Sequence, residues 1–198
     1  KLSDVTGGRD IIVADVGQHQ MILARFYNFQ TPNSWFTSGG AGTMGCALPM
    51  AIGIKLVRPG ERVWSISGDG GFQMNIQELQ TLATHAWPVT VFVIDNGGYL
   101  SIRSTQANFF GRMIGESRAS GVGFPDWVSL ARAYGIEADR LDDPATMGQR
   151  IDAALAASGP YLAHVVVDPE QGFEPRVRSR QLPDGTITSP ALDDLYPF

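Results

Sequence analysis

The chain has 198 residues, 43% hydrophobic and 18% charged, with a formal net charge of −5. That length suits one α/β domain with a sizeable core, and the apolar content excludes disorder. The acidic balance gives no electrostatic footprint for nucleic acid or an anionic membrane, and no run approaches the roughly 18 apolar residues of a membrane span. The N-terminus, from Lys1 to Val5, has neither an initiator Met nor the basic-then-apolar order of a signal peptide, so the chain reads as a fragment or a processed piece. Residues 11–16 form a short β-branched strand ended by Gly17, and Met21, Ile22, Phe26 and Tyr27 follow at helical spacing. Trp35-Phe36-Thr37 leads into Ser38-Gly39-Gly40. Residues 42–57 carry no charge before Lys55 and predict a helix buried on nearly every face. Cys46, the only cysteine, lies there among small apolar neighbours and reads as packing. A lone cysteine excludes an internal disulfide and suits a reducing compartment, hence a cytoplasmic location.

Residues 63–66 are the next strand. Asn75 with Glu78 three positions on predicts a capping box, opening a helix through Ile76, Leu79, Leu82 and Ala83. After Pro88, residues 89–94 are a near-continuous apolar run of the kind found in central parallel strands. A long Gly-rich loop is expected next. Residues 127–134 then predict a helix stopped by Gly135, and Asp143 before Pro144 a cap and first turn for a helix to about Ser158. Residues 162–167 make a last strand, and from Pro169 the chain reads as an extended tail. The expected division is a domain over 1–170 and a tail over 171–198.

Strands separated by helices imply right-handed crossovers and a three-layer α/β/α fold with a mostly parallel sheet of about six strands. Ligands in such sheets sit beyond the carboxyl ends of the strands. The informative stretch is therefore Gly68-Asp69-Gly70 after one strand and Asp95-Asn96 after the next, with a single helix between. Both would emerge at one sheet edge, within reach of one ion. Magnesium prefers six oxygens and usually keeps phosphate oxygens among them. Asp69 offers charge, Asn96 an amide carbonyl, and the Gly97-Gly98 turn a backbone carbonyl. Glycines at 70, 71, 97 and 98 would let amides approach phosphates closely. The plain alternative is that Asp69 only caps the following helix.

Gly68-Asp69-Gly70 through Asp95-Asn96 resembles the thiamine diphosphate motif that begins Gly-Asp-Gly and usually ends Asn-Asn. The segments from Asp15 to Met21, Thr37 to Gly45 and Gly71 to Leu79 resemble the C-terminal domain of the acetolactate synthase (acetohydroxyacid synthase) family. That resemblance covers nearly the whole chain. It implies Mg²⁺ held by Asp69, the Asn96 side chain and the Gly98 carbonyl. It places Gln18, His19, Gly70, Gly71, Tyr99 and Leu100 beside the diphosphate. Met44 matches the apolar residue that keeps the cofactor bent, and the Gly42 carbonyl matches the acceptor for its exocyclic amine; these are the two catalytic positions. His19 reads as a phosphate or loop hydrogen-bond donor, and His85 and His164 as structural. Arg103, after the metal loop, is a candidate for pairing with a substrate carboxylate.

The resemblance also implies partners and reaction. A Pyr-type domain, from the same or a neighbouring chain, supplies the activating glutamate, in a homodimer or tetramer. Some members bind FAD through a middle domain, so FAD is possible in a full-length enzyme but not on this domain alone. The expected activity is decarboxylation of a small 2-oxo acid with transfer of the two-carbon unit to a carbonyl acceptor, as in branched-chain amino acid biosynthesis. A decarboxylase or lyase releasing an aldehyde, and a non-catalytic diphosphate-binding module, are the alternatives. Asp95 departs from the usual Asn. Thr105 stands where branched-chain enzymes carry a tryptophan, which puts their acceptor in doubt for this chain.

Overall fold

The computed structural model describes residues 1–197. Its elements are α1 (Leu2–Thr6), β1 (Ile11–Ala14), α2 (Gln18–Phe26), β2 (Trp35–Thr37), α3 (Ala47–Val57), β3 (Val63–Gly68), α4 (Asp69–Gln73) and α5 (Glu78–His85). They continue with β4 (Val89–Asp95), α6 (Leu100–Phe109), a 3₁₀ turn (Arg118–Ser120), α7 (Trp127–Ala133), β5 (Glu137–Leu141), α8 (Pro144–Ala156) and β6 (Tyr161–Val166). Four two-residue strands follow in the tail: β7 (Arg176–Val177), β8 (Arg180–Gln181), β9 (Ile187–Thr188) and β10 (Leu195–Tyr196). They pair as two small antiparallel ribbons, β7 with β10 and β8 with β9.

The six main strands form one parallel sheet in the order β2-β1-β3-β4-β6-β5. Alternation along each strand sends side chains to opposite faces. Ile11, Val13, Val63, Val91 and Val93 pack with Leu48 and Ala51 of α3, Leu79 and Leu82 of α5, and Trp127 and Ala131 of α7. Ile12, Trp64, Ile66 and Phe92 face the other way, onto Ile151 and Ala154 of α8, with Leu2 and Val5 of α1 and Leu23 of α2. This is the expected three-layer α/β/α fold. Burial on both faces is why β1 and β4 read as apolar runs rather than alternating patterns.

Several expectations change in detail. The helix expected over residues 42–57 begins only at Ala47, because Gly42 and Gly45 take positive φ of 63° and 81° and cannot continue a right-handed turn. Its last turn is not buried either: Val57 is 73% exposed. Asn75 does not cap α5. Its amide donates to the Gly45 carbonyl at 2.7 Å, so the side chain is drawn to the neighbouring loop and the helix starts at Glu78. The expected long loop after β4 contains α6. An edge strand, β5, adds Glu-Ala-Asp-Arg-Leu to the sheet with only Ala138 and Leu141 buried, a charged pattern that suits an edge. Asp143 caps α8 as expected, accepting from Ala145 N at 2.9 Å.

Truncation at the centre of the sheet should be costly. Leu162 of β6 is fully buried between the layers, whereas Leu192 is 86% exposed. Leu162→Ala should lower the urea unfolding free energy by about 2–5 kcal/mol. Leu192→Ala should change it by less than about 0.5 kcal/mol.

Candidate functional site

The loops that follow β1, β3 and β4 converge at the carboxyl edge of the sheet. Gly68 pairs with Ile94, so the register brings Asp69 out opposite Asp95, with Asn96 one residue further along at the same sheet edge. Asp69 is 2% exposed. Its Oδ1 accepts from Gly70 N at 2.7 Å and its Oδ2 from Gly98 N at 2.8 Å, so one carboxylate ties the two loops together. Asp95 lies close by. Burial and the neighbouring Asp95 carboxylate push the Asp69 carboxyl above the usual carboxylate range. Asp95 is held below it, chiefly by His164 Nε2 at 2.7 Å, with Gly97 N donating at 2.9 Å. The acid at position 95 thus has a partner on β6, His164. His85 stacks on Trp87 with ring centroids 4.4 Å apart.

A cavity of about 380 Å³ opens over these loops. Gln18, His19, Met44, Asp69, Gly70, Gly71, Asn96, Gly98, Tyr99 and Leu100 all line it, so ten of the expected positions come together. Gly42 does not line it; it sits on the same loop as Met44, donating N–H to the Ser38 carbonyl at 3.0 Å. The rest of the wall is largely apolar, with Ile22, Leu23, Ile66, Phe92 and Ile94. Sequence reasoning missed these wall residues, because nothing in a strand pattern separates a residue facing a cavity from one facing a helix.

Two polar atoms at this cavity are buried without a hydrogen-bond partner among the described residues: Asn96 Oδ1 and His19 Nε2. Buried polar atoms in folded proteins are nearly always paired, so orphans beside a cavity point to a bound group that completes them. An amide oxygen and a carboxyl group on one cavity wall are a cation ligand set; an imidazole nitrogen on the first turn of α2 can serve an anionic oxygen. Among the described residues no three His, Cys, Asp or Glu side chains gather as a metal site. A cation at this edge must therefore also draw on amide and main-chain oxygens, as a Mg²⁺ ion with phosphate does.

The glycines make the cradle close. A Cβ on Gly70 would run into the Tyr99 ring, and one on Gly71 into the Asp15 carboxylate. Asp15 is fully buried; its carboxylate accepts from Val16 N and Gly45 N, each at 2.9 Å, which anchors the loop bearing Met44. Cys46 Sγ lies 3.8 Å from the same carboxylate, and burial with that negative neighbour pushes the thiol up, so it is not activated. Arg103, which lines the cleft beside the cavity, is engaged by the chain itself. Its Nε donates to Glu116 Oε2 at 2.6 Å and its guanidinium also reaches the Pro169 carbonyl at 3.2 Å, so the expected carboxylate partner is supplied by the chain itself. Glu116 escaped sequence reasoning; its only signal is an acid beside Gly115 and Ser117 in an otherwise featureless loop. The tail is also attached to this edge, since Gln18 Nε2 donates to the Gln171 carbonyl at 2.9 Å and Arg25 to the Pro175 carbonyl at 2.7 Å.

A doubly covered parallel sheet with a carboxyl group, an amide and a glycine cradle around a cavity at its carboxyl edge defines an α/β domain of the kind that binds its ligand at that edge. Comparison with known proteins makes this specific. The family model described as "Thiamine pyrophosphate enzyme, C-terminal TPP binding domain" matches residues 15–165, and the chain belongs to that family. It is 40% identical over 163 residues to the "Probable acetolactate synthase large subunit" of Methanococcus aeolicus, covering 82% of this chain and 27% of the relative. It is 35% identical over 195 residues to the acetolactate synthase isozyme 2 large subunit of Escherichia coli, covering 98% and 34%. With the chloroplastic acetolactate synthase of Arabidopsis thaliana the identity is 37% over 183 residues, covering 90% and 27%. The chain spans about a third or less of the length of these relatives.

His19 generates a pH prediction. Burial lowers its pKa from 6.5 to about 4, so the folded protein holds the ring neutral where the unfolded chain is protonated. A depressed base contributes stability above its unfolded pKa that is lost as the pH falls towards the folded value. Between pH 6.5 and 4 the ligand-free protein should therefore lose up to about 3 kcal/mol on account of this residue. His19→Gln should flatten that part of the stability–pH curve, read by urea unfolding at several pH values.

Proposed function

We propose that this chain is the diphosphate- and Mg²⁺-binding domain of a thiamine diphosphate-dependent enzyme of the acetolactate synthase type. The observation that carries the reading is the pair of orphaned atoms, Asn96 Oδ1 and His19 Nε2, on residues that line the same cavity as Asp69 at the carboxyl edge of the sheet. Asp69, Asn96 and the Gly98 carbonyl would hold the metal. Gln18, His19 and the Gly70-Gly71 and Tyr99-Leu100 segments would hold the diphosphate. Met44 would support the bend of the cofactor from the Asp15-anchored loop, with the Gly42 carbonyl accepting from its amine. Thiamine diphosphate, when bound, supplies the stabilised carbanion equivalent that the side chains of this domain cannot.

The chain's own contribution is to bind, orient and dry. The apolar wall of Ile22, Leu23, Ile66, Phe92 and Ile94 excludes water from the reacting end. The reaction we infer is decarboxylation of a small 2-oxo acid such as pyruvate and transfer of the two-carbon unit to a carbonyl acceptor. The acetolactate synthase names of the relatives favour this over aldehyde release or a non-catalytic module. A Pyr-type domain, within a homodimer or tetramer, would supply the activating glutamate, and FAD would belong to another part of the full-length enzyme. Exposed apolar side chains such as Phe26 at 69% support a partner surface, so the isolated chain should be inactive. No helix among the described residues is long and apolar enough to cross a membrane. The lone Cys46 supports a reducing, cytoplasmic setting.

Asp69→Ala and Asn96→Ala should each abolish the Mg²⁺ dependence of thiamine diphosphate binding, followed by calorimetric titration of the intact protein with and without the metal. Unchanged affinity in Asp69→Ala would remove the reading.

The acceptor side gives a second test. Thr105, on α6, borders clefts that adjoin the cofactor cavity through Ser101. A hydrophobic wall separates one methylene by only about 1–3 kcal/mol, so a threonine there should leave no preference for 2-oxobutyrate over pyruvate as acceptor. Both acids supplied in competition to the full-length enzyme, with products quantified, check this; a strong bias to acetohydroxybutyrate would return the protein to ordinary branched-chain synthesis.

A further inference from the structure

The metal loop is short and glycine-rich, and a Gly-Gly turn has many conformations to lose. Something outside the loop must hold Gly98, whose φ of 150° is a conformation that side-chain-bearing residues rarely adopt. The segment around Glu116 does so. Gly98 pairs with Ser117 in an antiparallel bridge, and Tyr99 N donates to the Glu116 carbonyl at 2.7 Å. The Glu116 main chain lies where a Cβ on Gly98 would fall, so the contact is closed to any larger residue.

Glu116 is itself fixed. Its Oε2 accepts from Arg103 Nε at 2.6 Å, and its Oε1 from Ser117 Oγ at 2.5 Å and Ser120 Oγ at 3.2 Å. Ser120 Oγ in turn accepts from the backbone N–H of Glu116 at 2.9 Å and of Ser117 at 3.0 Å. The Arg103 and Glu116 side chains are 16% and 5% exposed, so this is a largely desolvated, charge-assisted pair. Arg103 is carried by α6, whose first turn includes Arg103 N donating to the Tyr99 carbonyl at 2.9 Å.

We propose that the Arg103–Glu116 pair positions the metal loop: it clamps the Glu116-Ser117 segment against Gly98, fixing the Gly98 carbonyl beside Asp69 and Asn96. Neither residue touches the metal. Both are positioning residues, and the inference rests on the metal-site reading above. Groups that orient ligands from behind commonly change metal affinity when removed. Without the pair, Gly98 keeps its place in the sequence but loses the wall that selects its conformation. The ion would then have to order the loop on binding.

The test is Mn²⁺ affinity in the intact protein at saturating thiamine diphosphate, read by electron paramagnetic resonance, which needs no turnover. The parent is compared with Glu116→Gln, Arg103→Gln and Tyr161→Phe, each first shown to be folded by its melting curve. Tyr161→Phe removes a 2.7 Å hydrogen bond to Asp139 at the opposite edge of the sheet and controls for general destabilisation. Mn²⁺ affinity should fall by about tenfold or more in the two clamp variants and stay within about twofold of the parent in Tyr161→Phe. If a neutral variant does not fold, Arg103→Lys, which keeps the charge but loses the Nε donor, takes its place with a smaller loss expected. Parental affinity in a folded clamp variant overturns the proposal, as does an equal loss in Tyr161→Phe. A parent that binds no Mn²⁺ with the cofactor overturns the underlying function as well, which distinguishes the two failures.

Discussion

The register between β3 and β4 is the constraint on which the site depends. Parallel pairing with Gly68 opposite Ile94 leaves no freedom in where the next residues go. Asp69 begins α4 while Asn96 begins a turn, and the Asp69 carboxylate closes the gap by accepting N–H groups from both loops. A shift of one residue in that register would change the spacing between Asp69 and Asn96 and turn the apolar side chains of the slipped strand to the opposite face. Core and site are specified by one set of hydrogen bonds.

A second layer of support runs through three carboxylates, two buried and one half-buried. Asp15 anchors the Met44 loop from β1, Asp95 ties the Gly97-Gly98 turn to His164 on β6, and Glu116 backs Gly98 from beyond α6. Each is met by backbone amides or a cationic or aromatic partner, which is what makes burial of an acid tolerable. The cavity thus has a polar, rigid margin on three sides and an apolar wall within.

Much of this was legible in the sequence because the informative residues sit where chain geometry is simple. Gly68-Asp69-Gly70 and Asp95-Asn96 follow apolar strands, so their meeting at one edge follows from β-α-β topology alone. Legibility failed where local rules met tertiary competition. Asn75 had the spacing of a helix cap, yet the Gly45 carbonyl claimed its amide. Residues 137–141 were too charged to read as a strand, because an edge strand has one neighbour and needs few apolar residues. Arg103 looked free for a ligand because its partner Glu116 lies thirteen positions on, across a turn that no periodicity announces.

The crowding at Gly98 has a consequence for how such a domain can diversify. Positions 70, 71 and 98 are sealed by the Tyr99 ring, the Asp15 carboxylate and the Glu116 main chain, so no side chain can be introduced there without displacing a neighbour. Ile102 and Thr105 on α6, by contrast, border open clefts where a new side chain meets solvent. Substitution is therefore unevenly permitted: the glycine cradle is closed to side chains on steric grounds, while one exposed face of α6 a short way along the chain is open to them. A change on that face of α6 can thus reshape the neighbouring clefts without disturbing the glycine cradle.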